Sequence, residues 1–230
     1  MLNVTPTKSF PAIGADTATR LLESAAQAFA ARGFHATTTR DIAQGAGLSP
    51  AGVYVHFASK LDMLFHLSRR GHEQALALVT EAADEAPSPA RALAAILERF
   101  SAWHVANFAL ARVVYHEFAH LSDPQRDELL RLRGDLDRAV QDVVAAGVRS
   151  GEFVVDDVSD TSMALLSIVV DVARWYSPTS ERSPEQVGRT NADLGLRLVG
   201  ARTSKAGQPG IPASSASETE QVEQRAQGEE

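Results

Sequence analysis

From about residue 15 to residue 200 the apolar positions recur at three- and four-residue spacing. No stretch keeps the two-residue alternation of a half-buried strand. The pattern predicts an all-α protein. A first helix over residues 15–31 places Leu21, Leu22, Ala25, Ala28 and Phe29 on one face, and Gly33 supplies its left-handed end. A second, over 39–46, is capped by Thr38, buries Ile42 and Ala43, and stops at Gly47. Ser49 caps a third that ends near Phe57, with Pro50 in the first turn, where no amide donor is needed. Ser59 caps a fourth that runs to about Ala83, ahead of Pro87 and Pro89.

Further helical segments are predicted at 90–105, 108–122, 123–150, 158–176 and 183–199. Gly147 and Gly151, with Phe153, close the long middle one. Asp156-Asp157 and Ser177-Pro178-Thr179 set off the last two. Those two carry the broadest apolar faces: Met163, Leu165, Leu166, Ile168, Val169 and Val172, then Leu194, Leu196, Leu198 and Val199. Such faces serve either a subunit's own core or a second copy.

Composition narrows the classes. At 230 residues the chain accommodates a small domain joined to a medium one. Cysteine is absent, which excludes disulfides and thiolate metal sites, and no apolar run approaches the roughly 18 residues of a membrane span. The opening residues are mixed and polar, with Pro6, Pro11 and Gly14, unlike a secretion signal, so the expected location is cytoplasmic. The net charge of -7 would discourage nucleic-acid binding if spread evenly, yet it is not. From Asp16 to Arg70 six basic residues face four acidic ones, while the end from Glu218 to Glu230 holds five glutamates and one arginine behind a Gly, Pro and Ser-rich run. That end reads as a disordered acidic tail.

The helices on either side of Gly45-Ala46-Gly47-Leu48 form a helix-turn-helix, whose second helix can enter a major groove. The run TTTRDIAQGAGLSPAGVYVHFASKLDML, residues 37–64, resembles the DNA-binding signature of the TetR family of transcriptional regulators. Small Ala43, Ala46 and Gly47 permit close helix crossing, Leu48 and Val53 plug the core, and Tyr54-Val55-His56-Phe57 matches the family's YxHF-like element. The resemblance implies a flexible arm at 1–14, a DNA-binding domain at 15–62, a helical effector-binding and dimerisation domain at 63–201, and a tail at 202–230.

On this reading Thr38 offers a hydroxyl and an amide to a phosphate, and Arg40 reaches a phosphate or a guanine edge. Ser49, Pro50, Ala51 and Gly52 form a small-residue face for close approach to bases, leaving part of the specificity to DNA shape. Tyr54 and His56 resemble family positions on the sugar-phosphate backbone, Lys60 adds charge, and Phe57 goes to the core.

The segments at 113–133 and 173–200 are similar to a TetR subgroup that responds to acyl-CoA thioesters. The resemblance implies a small-molecule effector, acyl-CoA or simply hydrophobic, held by Trp103, Phe108, Arg112, Tyr115, His116, Phe118, His120, Arg174 and Trp175, in a homodimer that needs no cofactor. One motif competes with that picture. His116-Glu117-Phe118-Ala119-His120 matches the HExxH signature of zinc peptidases, in which two imidazoles one helical turn apart hold a metal and the glutamate acts as base. Its extended form fails, because Asp123 stands where Gly is required and Arg126 where His is. His116 and His120 stay candidate metal ligands, with His104 or Glu117 as partners, and a zinc hydrolase or a sequence-indifferent DNA organiser stays an alternative. The expected function is a ligand-responsive DNA-binding regulator, a repressor released from a palindromic operator.

Overall fold

The computed structural model describes residues 17–177 and 179–201; the arm, the tail and Pro178 lie outside the described residues. All regular structure among the described residues is helical. Helices α1 (Thr17–Arg32), α2 (Thr39–Gly45) and α3 (Pro50–Tyr54) pack around Leu21, Ala25, Phe29, Ile42, Ala43, Val53 and Phe57, closed from below by Met63, Leu64 and Leu67 of α4 (Lys60–Asp84). Polar groups fix the crossing of α1 and α2. Ser24 Oγ donates to the Ile42 carbonyl at 2.8 Å, and Arg20 donates to that of Ala46. Gly45 fits over Ser24, where a Cβ would fall 2.3 Å from Oγ. Gly47 takes φ +69°, a left-handed value that a β-carbon disfavours, and so turns the chain into α3.

The larger unit contains α4, α5 (Pro89–Ala106), α6 (Phe108–Glu117), α7 (Asp123–Ser150), α8 (Val158–Val170), α9 (Val172–Trp175) and α10 (Pro184–Leu198). Its core gathers Val79, Leu93, Ile96, Leu97, Phe100, Val140, Val144, Leu165 and Val169. Helix α10 lies so close along α5 that a Cβ at Gly188 would come within 2.5 Å of the Glu98 carbonyl oxygen, and between these helices Asn191 Nδ2 donates to Ser101 Oγ at 3.0 Å. At the end of α7, Phe153 covers Gly147, and Gly151 takes φ +76°.

Three predicted helices are shorter than their sequence pattern. Helix α3 stops at Tyr54 rather than near Phe57. The segment 108–122 stops at Glu117, followed by one 3-10 turn at Phe118–His120. The segment 158–176 divides at Asp171, and beyond the break the carbonyls of Ala173, Arg174 and Tyr176 accept from the Arg112 guanidinium at 3.0 to 3.4 Å. Within the last two helices, Leu165, Val169, Val172 and Val199 are buried in the subunit, whereas Met163, Val170, Leu194 and Leu198 remain exposed. The wide apolar faces therefore divide between the subunit's own core and open surface.

Candidate DNA interface and effector cavity

Helix α2 begins with a capping box. Thr38 Oγ1 accepts from the Asp41 amide at 3.1 Å, while the Thr38 amide and hydroxyl both donate to Asp41 Oδ2, at 2.8 and 2.7 Å. These bonds, the hydroxyl's first, hold the Asp41 carboxyl below its ordinary value. Both Thr38 donors are thus engaged within the chain in a capping role. Arg40 is exposed one residue into α2.

Helix α3 turns Ser49, Pro50 and Ala51 to solvent, with Gly52 half-buried; Ser49 Oγ accepts from the Gly52 amide at 3.3 Å. Tyr54 is exposed rather than core, and its hydroxyl stands 3.3 Å from Thr39 Oγ1, which ties the two helices of the motif together. His56 is exposed and Phe57 is buried. Lys60 differs from expectation, since its ammonium donates to the carbonyls of Phe34 and Thr37 at 2.6 and 2.8 Å and lies 4.3 Å from the centre of the Phe34 ring. Burial lowers its pKa, against a smaller opposing effect of the Glu117 charge. Lys60 secures the loop between α1 and α2 and keeps one donor for anything outside.

A cavity of about 1240 Å³ opens between α4 and the helices α5 to α9. Of the residues expected there, Trp103, Arg112, Tyr115, His116, Arg174 and Trp175 line it. Three do not. Phe108 packs against Tyr176 at a ring separation of 5.4 Å, Phe118 lies under the Arg133 guanidinium, and His120 pairs with Glu117. Arg112 is occupied by the three carbonyls already named, and Arg174 is held by Asp171 through bonds of 2.6 and 2.8 Å. The Asp171 carboxyl is lowered chiefly by that bond.

The inner wall holds His72, which the sequence pattern left unremarked, and His104, expected only as a possible metal partner of His116 and His120. His72 places Nδ1 2.7 Å from the Ser68 carbonyl and accepts from Arg133 Nε at 3.1 Å. His104 places Nδ1 3.1 Å from the Phe100 carbonyl. A carbonyl can only accept, so both rings carry their proton on Nδ1. Burial first, opposed by these carbonyl bonds, lowers both, His104 to about 4. Each sits where a polar residue interrupts an apolar stripe, Ser68-His72-Ala75-Val79 on α4 and Leu93-Leu97-Phe100-His104 on α5, and that interruption is the signal by which they are legible.

The HEFAH segment does not form the i, i+4 pair that a zinc site needs. Because α6 ends at Glu117, His116 faces the cavity while His120 Nδ1 lies 3.3 Å from Glu117 Oε2. The other oxygen of this buried carboxylate lies 3.1 Å from Nε2 of exposed His35, in the loop before α2. Among the described residues no three His, Asp or Glu side chains are grouped to hold a metal.

A helix-turn-helix with a small outward face, joined to a helical domain with a ligand-sized cavity, defines a DNA-binding regulator that responds to a small molecule. The chain belongs to the TetR family: residues 21–67 match the model of bacterial regulatory proteins of the tetR family, and residues 86–199 that of the tetracyclin repressor-like C-terminal domain. It is 33% identical over 178 residues to the HTH-type transcriptional repressor KstR2 of Mycobacterium tuberculosis, covering 74% of this chain and 86% of the relative. A regulatory protein of the tetR family from Rhodococcus RHA1 superposes with a TM-score of 0.75 at 30% identity, over 81% of this chain and 98% of that one. The structure of the ketosteroid transcriptional regulator KstR2 of M. tuberculosis gives 0.71 at 28% identity, over 83% and 97%. The chain is therefore a ligand-responsive transcriptional regulator, with no described helix long and apolar enough to cross a membrane.

Proposed function

We propose that the protein is a cytoplasmic, homodimeric repressor, without enzymatic activity, that leaves its operator when an acyl-CoA-type effector fills the cavity. The observation that carries this reading is the double role of α6. One face presents Arg112, Tyr115 and His116 to the cavity, while Leu110, Val113 and Val114 pack against the core shared by α1, α2 and α3. An effector that fits only one position of α6 thereby favours one position of the DNA-binding unit, and its differential affinity supplies the switching free energy. Tyr115, His116, Arg174 and Trp175 are exposed around the opening, where cationic and aromatic groups suit a nucleotide head group, and the apolar interior suits an acyl portion.

The test is native mass spectrometry of the protein from its source cells, followed by a band shift with the released compound. An acyl-CoA bound at one per subunit that frees operator DNA supports the reading. A band shift that persists at saturation with the bound compound contradicts it, and stoichiometric zinc with chelator-sensitive turnover would restore the hydrolase alternative.

Exposed Leu194 and Leu198 on α10, beside Met163 and Val170 of α8, which also line the cavity, support α8 and α10 as the dimer interface. Leu194→Asp with Leu198→Asp is expected to give a monomer in sedimentation-velocity runs and to lose operator binding, since two half-sites about 34 Å apart need two linked recognition helices. At the DNA surface, Arg40→Ala should weaken binding to all duplexes and flatten the dependence of log K on log salt by about one counterion. Fluorescence anisotropy from low to high salt measures both, and an unchanged slope would remove Arg40 from the phosphate contacts.

A further inference from the structure

Three arginines line the cavity, and two of them already face oxygen. Arg174 is paired with Asp171, and Arg112 donates to three carbonyls. Arg133 of α7 differs. Its Nε donates to the neutral ring of His72 at 3.1 Å, and its guanidinium lies 4.2 Å from the centre of the Phe118 ring; among the described residues it has no carboxylate or carbonyl partner. Asp137, one turn along the same helix, also lines the cavity but does not pair with Arg133: Oδ2 accepts from Gln141 Nε2 at 2.8 Å, and the buried Oδ1 has no partner among the described residues.

His72 orients this cation without neutralising it. The Ser68 carbonyl fixes the imidazole proton on Nδ1, so Nε2 offers a lone pair that holds Arg133 Nε and leaves the four terminal N–H groups unmatched. Burial alone pulls the Arg133 pKa below the ordinary arginine value, with no opposing contribution from an acidic neighbour. The cavity wall is mostly apolar, with buried Ala75, Phe100 and Leu136, and is broken by a few polar groups such as His104 and Asp137. A partly desolvated guanidinium with four unmatched N–H groups is unfavourable, and an oxygen brought in by a ligand relieves that cost.

We propose that the inner end of the cavity is a subsite for an oxygen acceptor, a carboxylate or a carbonyl, carried at the buried end of an otherwise apolar effector, and that Arg133 binds it. This deepens the reading of the cavity as the effector site and rests on it. The effector then has two polar ends, one at the exposed mouth and one against Arg133, with an apolar body between them. A plain saturated acyl chain fills the same volume and leaves the cation unmatched.

The test uses three CoA thioesters of one chain length that differ at the far end, sebacoyl-CoA, 9-oxodecanoyl-CoA and decanoyl-CoA, together with their free acids, titrated calorimetrically into the full-length protein. The wild type is expected to bind one or both oxygen-ended thioesters about 10- to 100-fold more tightly than decanoyl-CoA, the gain of a charge-assisted hydrogen bond. Which of the two is preferred separates carboxylate from carbonyl. Arg133→Met should erase the preference while still binding decanoyl-CoA, and Arg133→Lys, which keeps the charge, should retain part of a carboxylate preference; melting curves check that both variants fold. Equal binding of the three by the wild type, or an undiminished preference in Arg133→Met, overturns the subsite alone. Binding of the free acids but not the thioesters overturns the acyl-CoA reading, and the same preference among the acids then decides the subsite. No binding of any probe by the wild type overturns both.

Discussion

Gly188→Val is expected to lower the melting temperature of the protein by about 6–12 °C, the shift that roughly 3 kcal/mol produces in a chain of this size. The cause is the distance between α10 and α5. At Gly188 a β-carbon would lie 2.5 Å from the Glu98 carbonyl oxygen and 3.2 Å from its carbonyl carbon. These are backbone atoms inside a helix, so relief requires the two helices to separate. Separation also strains the Asn191 to Ser101 hydrogen bond, which is buried. Gly195 farther along meets side-chain atoms instead, Leu97 Cδ1 at 2.1 Å and Leu165 Cδ2 at 3.0 Å, so repacking absorbs part of the strain there. Gly134→Ala is the control. Its β-carbon would meet only the flexible end of Arg138, at 3.5 Å, and inside a helix the change should stabilise by up to about 1 kcal/mol. Calorimetric melts of the two variants check the pair, and equal melting temperatures would refute the close crossing.

The second large effect is acid sensitivity centred on His104. Its pKa is held at about 4 by burial, against about 6.5 in the unfolded chain. Above pH 6.5 the ring is neutral in both states, and its full contribution to stability is present. As the pH falls toward 4 the unfolded chain takes up a proton that the folded protein resists, so stability is lost, by about 2 kcal/mol at pH 5 and about 3 kcal/mol at pH 4. His72, lowered in the same direction, adds to the loss. His104→Asn keeps a donor for the Phe100 carbonyl and removes the titration. Urea unfolding at pH 7 and pH 5 is expected to show the wild type falling by about 2 kcal/mol more than the variant between the two conditions. Parallel falls would mean that His104 is not the acid-labile group.

Much of the fold was legible because the chain marks its helix ends chemically. Thr38, Ser49, Ser59 and Ser183 each cap a helix, and Pro50 and Pro184 stand in first turns. The two missed breaks carry no such marks. After Glu117 there is no glycine or proline, and the chain turns as the Glu117 carboxylate is drawn between His35 and His120, the former 82 residues earlier. At Asp171 there is again no neighbouring glycine or proline, and the carbonyls beyond the break are taken by Arg112, a tertiary contact. The site divides in the same way. Tyr115 and Trp175, near exposed motifs, stand in the cavity wall where the sequence expects them, while the pair of His72 and Arg133 joins residues 61 apart and no local spacing announces it. HEFAH misled for the converse reason: its spacing implies a shared face only on an unbroken helix.

Helix α3 keeps a single residue, Val53, in the core, and the outward positions beyond the Ser49 cap bear no packing. Substitution at Ala51 therefore changes what the helix presents while leaving the scaffold almost untouched, because surface changes away from caps and cores usually stay within about 0.5 kcal/mol. A lineage carrying this chain can exchange one operator for another through steps that each yield a folded, ligand-responsive protein. Its regulatory address and its chemical sense are free to evolve at different speeds.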